Sequence, residues 1–272
     1  MQQKFIEVNK TKLAYIEKNK EAKSTIFFIH GNSTSKRSWR KQYESKLLSA
    51  YRLISIDLPS HGNSELASDA SKCTLKGLGA IMSSAVNLLA AGKPYIVAGM
   101  SLGTNIVAEM LVHSISPTGL VLAGPCVVSE ELPVEKFVKP DTHVGVVFTE
   151  DADESDVRLY AKETSLSRED EDFKIFLEDY KRTDNKFRRY LAESIAEKNY
   201  SNQIILIQEK NVPILIVIGK DERVVKTDYL DDVELPLWRS EIFKIPGASH
   251  LVNIDQPEAF NKLLAEFSED IL

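Results

Sequence analysis

The stretch "VAGMSLGTN", residues 97–105, puts a serine between two glycines where an apolar run gives way to a pattern typical of a helix. A strand that ends at Gly99, a sharp turn at Ser101 and a helix that begins at Leu102 would hold the serine hydroxyl above the edge of a sheet. Gly99 and Gly103 fit this arrangement, because side chains there would collide where the strand and the helix pack closely. The stretch therefore indicates either a nucleophilic serine or an ordinary Gly-Ser turn, and the rest of the chain distinguishes the two.

Apolar runs rich in Ile and Val alternate with amphipathic segments on both sides of this stretch. A β-hairpin is predicted over residues 4–8 and 12–18, and buried strands are predicted over 25–30, 52–57, 94–99, 119–123, 213–219 and 241–246. Helical spacing is found over 37–48, 74–91, 102–114 and 257–269. This alternation predicts an α/β fold, with a mostly parallel eight-stranded sheet that is flanked by helices on both faces.

One long interval lacks the strand pattern. Residues 129–205 contain several helical segments and no strong strand. An insertion between the strands at 119–123 and 213–219 would lie over the carboxyl ends of the parallel strands, where open α/β sheets bind ligands. We therefore expect a core built from residues 1–128 and 206–272, with a helical cap formed by residues 129–205.

Composition excludes several classes of protein. The chain has 272 residues, a formal charge of −6 and two cysteines. A negative chain without a basic stripe is not expected to bind nucleic acid or an anionic membrane surface. Cys73 and Cys126 lack the spacing of a zinc site or a disulfide framework, and no apolar run has the length of a membrane span. We expect a cytoplasmic protein without a metal or other cofactor; nothing in the sequence indicates its oligomeric state.

A nucleophilic serine needs a base, and the chain has five histidines. His250 lies in "IPGASHLVNIDQPEAF", after the last predicted strand and before the last helix, where a loop can bring an imidazole over the sheet. His113 falls within a helical pattern and His143 within the helical interval, which favours surface or packing roles. His30 and His61 follow strands in "FFIHGNS" and "DLPSHGNS" and are expected to support the local loops. His250 is therefore the predicted base.

The remaining groups of a hydrolytic site have candidates as well. Two adjacent carboxylates, Asp221 and Glu222, follow the strand "PILIVIG", and either could orient the imidazole of His250. The loop "HGNSTSKRSW" after the first buried strand can turn the backbone N–H of Asn32 toward that of Leu102. Two such donors would stabilise the negative oxygen that forms when a nucleophile attacks a carbonyl. The order serine, acid, histidine and the joint occurrence of these motifs favour the nucleophilic interpretation of Ser101.

These motifs, across nearly the whole chain, resemble the α/β-hydrolase superfamily with a helical cap. A closer resemblance is to the α/β-hydrolase type of N-acyl homoserine lactonase, a quorum-quenching enzyme that needs no metal. The stretches that carry it are "IHGNSTS", "DLPSHGNS", "GLVLAGP" followed by "VVSEEL", "FTEDADESDVRLYAKET", "RTDNKFRR" and "PGASHLV". The sequence departs from relatives at Met100, where a bulky aromatic residue is found, and at Thr104, where glycine is common.

The resemblance implies roles for particular residues. In α/β-hydrolases the acid usually follows the strand-end glycine by three positions, and counting from Gly219 selects Glu222 and leaves Asp221 as the alternative. The resemblance also implies that Asn32 and Tyr160 help to hold a lactone ring. A solvated turn carboxylate, a loop-stabilising Asn32 and a core contact for Tyr160 are the structural alternatives.

The sequence thus predicts a metal-independent serine hydrolase that cleaves a carboxylic ester bond through Ser101, His250 and Glu222. Its expected partner is a small neutral acylated substrate, because the acidic runs of the cap disfavour an anionic one. Apolar residues could line an acyl tunnel there: Leu132, Val134, Phe137, Val138, Val147, Phe148 and Tyr160. Ring-opening of N-acyl homoserine lactones is the reaction that the resemblance implies. The alternatives are a general carboxylesterase, another small-molecule hydrolase and a ligand-sensing protein.

Overall fold

The computed structural model describes residues 2–272, which form one eight-stranded sheet with helices on both faces. The spatial order of the strands is β1-β2-β4-β3-β5-β6-β7-β8. Their bounds are β1 Gln3–Val8, β2 Thr11–Lys18, β3 Thr25–Ile29, β4 Arg52–Ile56, β5 Tyr95–Met100, β6 Gly119–Ala123, β7 Ile214–Gly219 and β8 Leu237–Ile245. Strand β2 pairs antiparallel with β1 and β4, and every other pairing is parallel. The predicted α/β-hydrolase fold class is confirmed.

Within the described part of the chain, ten α-helices connect or follow the strands. Their bounds are α1 Arg40–Glu44, α2 Leu75–Ala90, α3 Leu102–Met110, α4 Val134–Phe137, α5 Glu154–Thr164, α6 Asp170–Arg182, α7 Asn185–Ala196, α8 Gln203–Lys210, α9 Val252–Asp255 and α10 Pro257–Ile271. Short 3-10 helices span Lys36–Trp39, Lys46–Leu48, Ala70–Cys73 and Val144–Phe148. Within residues 2–272, none of the helices combines the length and the apolar character that a membrane crossing requires.

The central strands bury both faces, which explains why they are continuous runs of apolar residues. In β3, Phe27 and Ile29 belong to the hydrophobic cluster that includes α2 and α3. Ile26 and Phe28 belong to the opposite cluster, with side chains of α1 and α10. Successive side chains of a strand point to opposite faces, so each helical layer receives every second residue.

Two predicted elements differ from those observed. The segment 37–48 is not one helix, because Ser45 has extended backbone angles and its hydroxyl caps a separate 3-10 helix at Lys46–Leu48. The last strand begins at Leu237, earlier than the predicted residue 241. Arg239 and Ser240 have positive φ angles inside it, and a bulge of this kind breaks the alternating pattern.

Residues 129–205, which we term the helical segment, lie between β6 and β7 in the chain. They contain α4, α5, α6, α7 and the first turn of α8. Helix α8 packs against α3 next to the sheet. The expected boundary at residue 205 therefore falls inside a helix that contacts the core.

Candidate active site

Ser101 occupies a strained turn between β5 and α3. Its backbone angles are φ 54° and ψ −123°, a conformation that residues other than glycine rarely adopt. The close approach of three elements leaves no room for side chains beside it. A Cβ on Gly99 would lie 2.4 Å from the carbonyl oxygen of Gly103, and one on Gly103 would lie 2.3 Å from the carbonyl oxygen of Ile29. The glycines thus permit the turn that exposes the Ser101 hydroxyl at the end of β5.

His250 contacts both Ser101 and Glu222. Its Nε2 lies 2.8 Å from Ser101 Oγ, and its Nδ1 lies 2.8 Å from Glu222 Oε2. A carboxylate can only accept, so Nδ1 carries a proton, and in the neutral imidazole Nε2 accepts from the serine hydroxyl. Gly124, at the end of β6, allows this approach, because a Cβ there would lie 2.5 Å from the carbonyl oxygen of His250.

The two adjacent carboxylates point in different directions. Glu222 is buried, and its Oε1 accepts a hydrogen bond from Val224 N at 2.7 Å. Asp221 is exposed, and its Oδ2 accepts from Gly247 N at 2.7 Å. Of the two candidate acids, only Glu222 contacts His250.

The ionisation of this buried pair is governed by opposing effects. Burial alone would raise the pKa of Glu222, but the charge and hydrogen bond of His250 and the N–H groups of Val224 and Val225 lower that pKa below its usual value. Burial alone would lower the pKa of His250, but the charge and hydrogen bond of Glu222 raise it above the usual value. The carboxylate therefore stabilises a positive charge on the imidazole, as a general base requires during reaction.

The two expected backbone donors flank the serine. A Cβ on Gly31 would lie 3.2 Å from Ser101 Cβ, so the loop after β3 packs directly against the turn. Leu102 is the first residue of α3, where backbone N–H groups have no partner within the helix. The N–H groups of Asn32 and Leu102 have no hydrogen-bond partner among residues 2–272, so both are free to donate to a substrate oxygen.

The side chain of Asn32 is partly engaged elsewhere. Its Nδ2 donates to the carbonyl oxygen of Val147 at 2.6 Å, and its Oδ1 accepts from Ser33 Oγ at 3.1 Å. These bonds tie the loop after β3 to the helical segment. One N–H of the amide remains available.

A largely apolar cavity, open to solvent, adjoins Ser101 and His250. It is lined by Val134, Phe137, Val138, Val147, Phe148 and Tyr160 among others, whereas Leu132 is not part of its wall. Tyr160 is buried, its pKa is raised by that burial, and its ring packs edge-on against Phe176.

The remaining histidines lie outside the Ser101–His250–Glu222 array. His30 Nε2 accepts from Leu58 N at 2.9 Å, and His61 Nε2 accepts from Ser33 N at 3.1 Å. Burial lowers the pKa of both imidazoles to about 3, so both are neutral acceptors that hold neighbouring loops. His113 is exposed, and His143 is hydrogen-bonded to Glu163 on α5.

Cys126 also lines the cavity, and the sequence interpretation missed it. Its spacing from Cys73 fits neither a disulfide framework nor a zinc site, so spacing gave it no role. Its position three residues after the end of β6 was the available signal, because the carboxyl ends of parallel strands meet at one edge of the sheet.

Comparisons with known proteins agree with this architecture. Two crystal structures of the N-acyl homoserine lactonase AidH, bound to N-hexanoyl homoserine lactone and to N-butanoyl homoserine, are 29% and 28% identical, with TM-scores of 0.90 and 0.91. Each alignment covers 100% of this chain, and 98% and 97% of the respective AidH chains. A thermophilic esterase from Thermogutta terrifontis has a TM-score of 0.80 at 16% identity, over 100% of this chain and 99% of its own.

Sequence comparisons identify the family. A Bacillus subtilis (strain 168) protein provisionally named 2-succinyl-6-hydroxy-2,4-cyclohexadiene-1-carboxylate synthase is 23% identical over 95% of both chains. The model of the alpha/beta hydrolase family matches residues 26–263. This chain belongs to the alpha/beta hydrolase family.

Proposed function

We propose that this protein is a serine hydrolase that opens the ring of N-acyl homoserine lactones. The observation that carries the proposal is the hydrogen-bonded array of Ser101, His250 and Glu222 at the wall of an apolar cavity. The lactone substrate is supported by the likeness to AidH over the full length of the chain. We also propose that residues 129–205 act as a cap over a core of residues 1–128 and 206–272.

The first step forms a bond between Ser101 Oγ and the carbonyl carbon of the lactone. His250 Nε2 takes the hydroxyl proton, and Glu222 stabilises the imidazolium that results. The carbonyl oxygen becomes negative and accepts hydrogen bonds from the N–H groups of Asn32 and Leu102. The positive end of the α3 dipole lies at the same place and favours this charge.

The second step breaks the ring C–O bond. The ring oxygen leaves with the bonding electron pair and takes the proton from His250 Nε2. Because this alcohol stays tethered to the acyl group, it can close the ring again unless it is protonated at once. Water then attacks the ester on Ser101, gives a proton to His250, and releases the open acid as the serine regains its proton.

The apolar cavity supports a neutral acylated substrate. Phe137, Val138 and Phe148 offer an acyl chain contacts without charge. Tyr160 lies in the same wall, and its hydroxyl is our candidate to grip the lactone ring. Removing it should therefore affect a lactone more than a small ester that does not reach it.

A substrate panel tests the proposed reaction. Ring-opening of acyl homoserine lactones of graded chain length should be measured beside a small aryl ester, with and without a chelator. We expect lactone turnover that the chelator does not change. Aryl ester turnover without lactone turnover would instead favour a general carboxylesterase, and tight lactone binding without turnover would favour a sensor.

The Tyr160→Phe variant tests the grip on the ring. We expect lactone turnover to fall by the value of one hydrogen bond, about 0.5 to 1.5 kcal/mol in the activation free energy, while the aryl ester is barely affected. Tyr190→Phe, on α7 and outside the cavity wall, removes a hydroxyl as a matched control. Equal losses on both substrates would contradict a ring-specific role for Tyr160.

A further inference from the structure

The loop that carries His250, residues 246–251 between β8 and α9, is called the His250 loop. It is hydrogen-bonded to the helical segment both before and after His250. Before it, Ser249 Oγ donates to the carbonyl oxygen of Glu163 at 2.6 Å. After it, Leu251 N donates to the carbonyl oxygen of Thr164 at 2.8 Å. Glu163 and Thr164 are the last residues of α5, the helix that also carries Tyr160. The position of the imidazole is thus coupled to the end of α5.

Asp255, the last residue of α9, joins the same two pieces of chain through its carboxylate. Oδ2 accepts from Ser249 N, the residue before His250, at 2.8 Å. Oδ1 accepts from Leu166 N at 2.9 Å and from Ser167 N at 3.0 Å, in the connection between α5 and α6. The hydroxyl of Ser165 donates to Oδ1 as well.

This carboxylate accepts more hydrogen bonds than any neutral side chain of its size could. Three of its four donors are backbone N–H groups, and bonds from such groups to a charged acceptor are stronger than bonds between neutral groups. An amide in place of the carboxylate would lose one acceptor oxygen and direct N–H donors at backbone N–H groups. Both parts of the chain would then lose a shared anchor.

The chemistry depends on this anchor because His250 has to meet two partners at once. Both ring nitrogens lie 2.8 Å from their partners, Ser101 Oγ and Glu222 Oε2. A displacement of about 1 Å in such a group can reduce turnover by roughly 100-fold. Asp255 does not touch the imidazole, so its effect would pass through Ser249 and the backbone.

We propose that Asp255 is a positioning residue, whose carboxylate aligns His250 between Ser101 and Glu222 by anchoring the His250 loop to the α5–α6 connection. This inference rests on the proposed serine mechanism but not on the lactone substrate. It also makes the helical segment part of the alignment of the imidazole.

Asp255→Asn tests the inference with a small aryl ester and, where it is turned over, a lactone. We expect kcat to fall 10- to 100-fold, KM to change less than threefold, and the thermal unfolding midpoint to stay near that of the unaltered protein. The limb of the kcat/KM profile that reports deprotonation of His250 should move to lower pH, because a looser contact with Glu222 raises the imidazole pKa less. A residue that only stabilises the fold would lower the unfolding midpoint and leave that limb in place.

Gln256→Ala is the matched control. Its Nε2 donates to the carbonyl oxygen of Gly247 at 3.0 Å, so it also bonds to the His250 loop, but it has no bond to the helical segment. We expect kcat to change less than threefold. Equal losses in Asp255→Asn and Gln256→Ala would contradict the inference, and so would an unchanged kcat in Asp255→Asn.

A spectroscopic readout separates failure of this inference from failure of the proposed function. The proton between His250 Nδ1 and Glu222 should give a far-downfield proton NMR signal, which does not depend on any substrate. We expect Asp255→Asn to shift or broaden that signal and Gln256→Ala to preserve it. If the unaltered protein hydrolyses nothing, the signal still decides the positioning role, and an unchanged signal in Asp255→Asn overturns it.

Discussion

The reactivity expected of Ser101 depends more on its surroundings than on the serine hydroxyl itself. A serine hydroxyl is a poor nucleophile until a base removes its proton, and here the only contact of Ser101 Oγ with a base is His250 Nε2 among residues 2–272. The positive φ of Ser101 costs conformational energy of about 1 to 3 kcal/mol, which the surrounding packing has to offset. Ser101 thus combines a strained backbone with a hydrogen bond to a base. This combination favours a catalytic role for the turn over a purely structural one.

Ser101→Ala should remove turnover and leave the fold intact. We expect kcat to fall by about 10³-fold or more, because the serine, the base and the acid act as a unit. Circular dichroism and thermal unfolding should match those of the unaltered protein. Near-full rates in the alanine variant, on every substrate that the unaltered protein accepts, would show that Ser101 is not the nucleophile.

Glu222→Gln and Asp221→Asn should differ sharply. The Glu222 variant should lose about 10²- to 10⁴-fold in kcat, because only Glu222 orients His250 and stabilises its charged form. Asp221 lies on the exposed side, bonded to Gly247 N, so its variant should retain most activity. The reverse ranking in measured kcat would transfer the role of the acid to Asp221.

The same pair of variants predicts a change in pH dependence. Only neutral His250 can accept the serine proton, and Glu222 raises the pKa of His250 above 6.5. The rising limb of kcat/KM should therefore lie above pH 6.5 in the unaltered protein. Without the charge of Glu222, burial remains and lowers that pKa, so the limb of Glu222→Gln should move to lower pH. An unmoved limb would contradict the coupling.

At the scale of elements, the turn depends on how closely α3 approaches β3 and β5. A Cβ on Gly103 would meet two backbone oxygens, those of Ile29 at 2.3 Å and His30 at 2.9 Å. Backbone atoms at the end of a central strand cannot move aside as a flexible side chain can. The short distance between α3 and the sheet therefore depends on the absence of a side chain at Gly103.

Gly103→Ala should destabilise the fold by about 3 kcal/mol or more, or prevent folding, because the added methyl overpacks a rigid contact. Gly145→Ala is the matched control, since a Cβ on Gly145 would have no neighbour within 4 Å. Urea unfolding of the two variants gives the comparison. Similar, small losses in both would show that the helix can shift without cost.

The sequence predicted those elements that a local pattern of apolar residues determines. Strands β3, β5 and β7 are buried runs of mostly Ile, Val and Phe, and the motifs after β5, β7 and β8 predicted Ser101, Glu222 and His250. The break at Ser45 and the early start of β8 depend on one hydroxyl cap and on two residues with positive φ, which periodicity does not report. The bonds of Asp255 to the α5–α6 connection link residues 88 to 90 positions apart in the chain, so spacing carries no signal for them.

At the scale of the whole molecule, the helical segment is bonded to three loops at the site. Val147 accepts from Asn32, Lys139 N donates to the carbonyl oxygen of Val224 beside Glu222, and Thr164 accepts from Leu251. A line of opposite charges adds to these contacts: Arg37, Arg40 and Lys41 face Glu169, Asp172, Glu178 and Asp179 on or beside α6. The pairs of the exposed Glu169 and Glu178 contribute little individually. Asp172 and Asp179 are buried, so the loss of one of their basic partners would leave a buried charge, and these pairs help the hydrogen bonds to fix where the segment lies.

Two buried histidines in the loops after β3 and β4 make the stability of the whole molecule sensitive to mild acid. His30 and His61 are neutral in the fold with pKa values lowered to about 3, chiefly by burial, whereas unfolded histidine has a pKa near 6.5. As the pH falls below 6.5, the unfolded chain binds two protons that the folded chain cannot accept. The stability that these neutral imidazoles contribute is thus fully present above pH 6.5 and is lost as the pH falls toward 3.

The unfolding free energy should therefore fall by about 2 kcal/mol between pH 6 and pH 5, since each histidine contributes up to about 1.4 kcal/mol per pH unit. His143 and His250 do not add to this loss, because their raised pKa values leave them protonated in the folded state throughout that window. His61→Gln keeps an acceptor for Ser33 N but cannot titrate, so it should reduce the loss to about 1 kcal/mol even if the variant is less stable at both pH values. Urea unfolding at the two pH values gives both slopes, and an equal slope in the variant would show that His61 titrates normally in the folded protein.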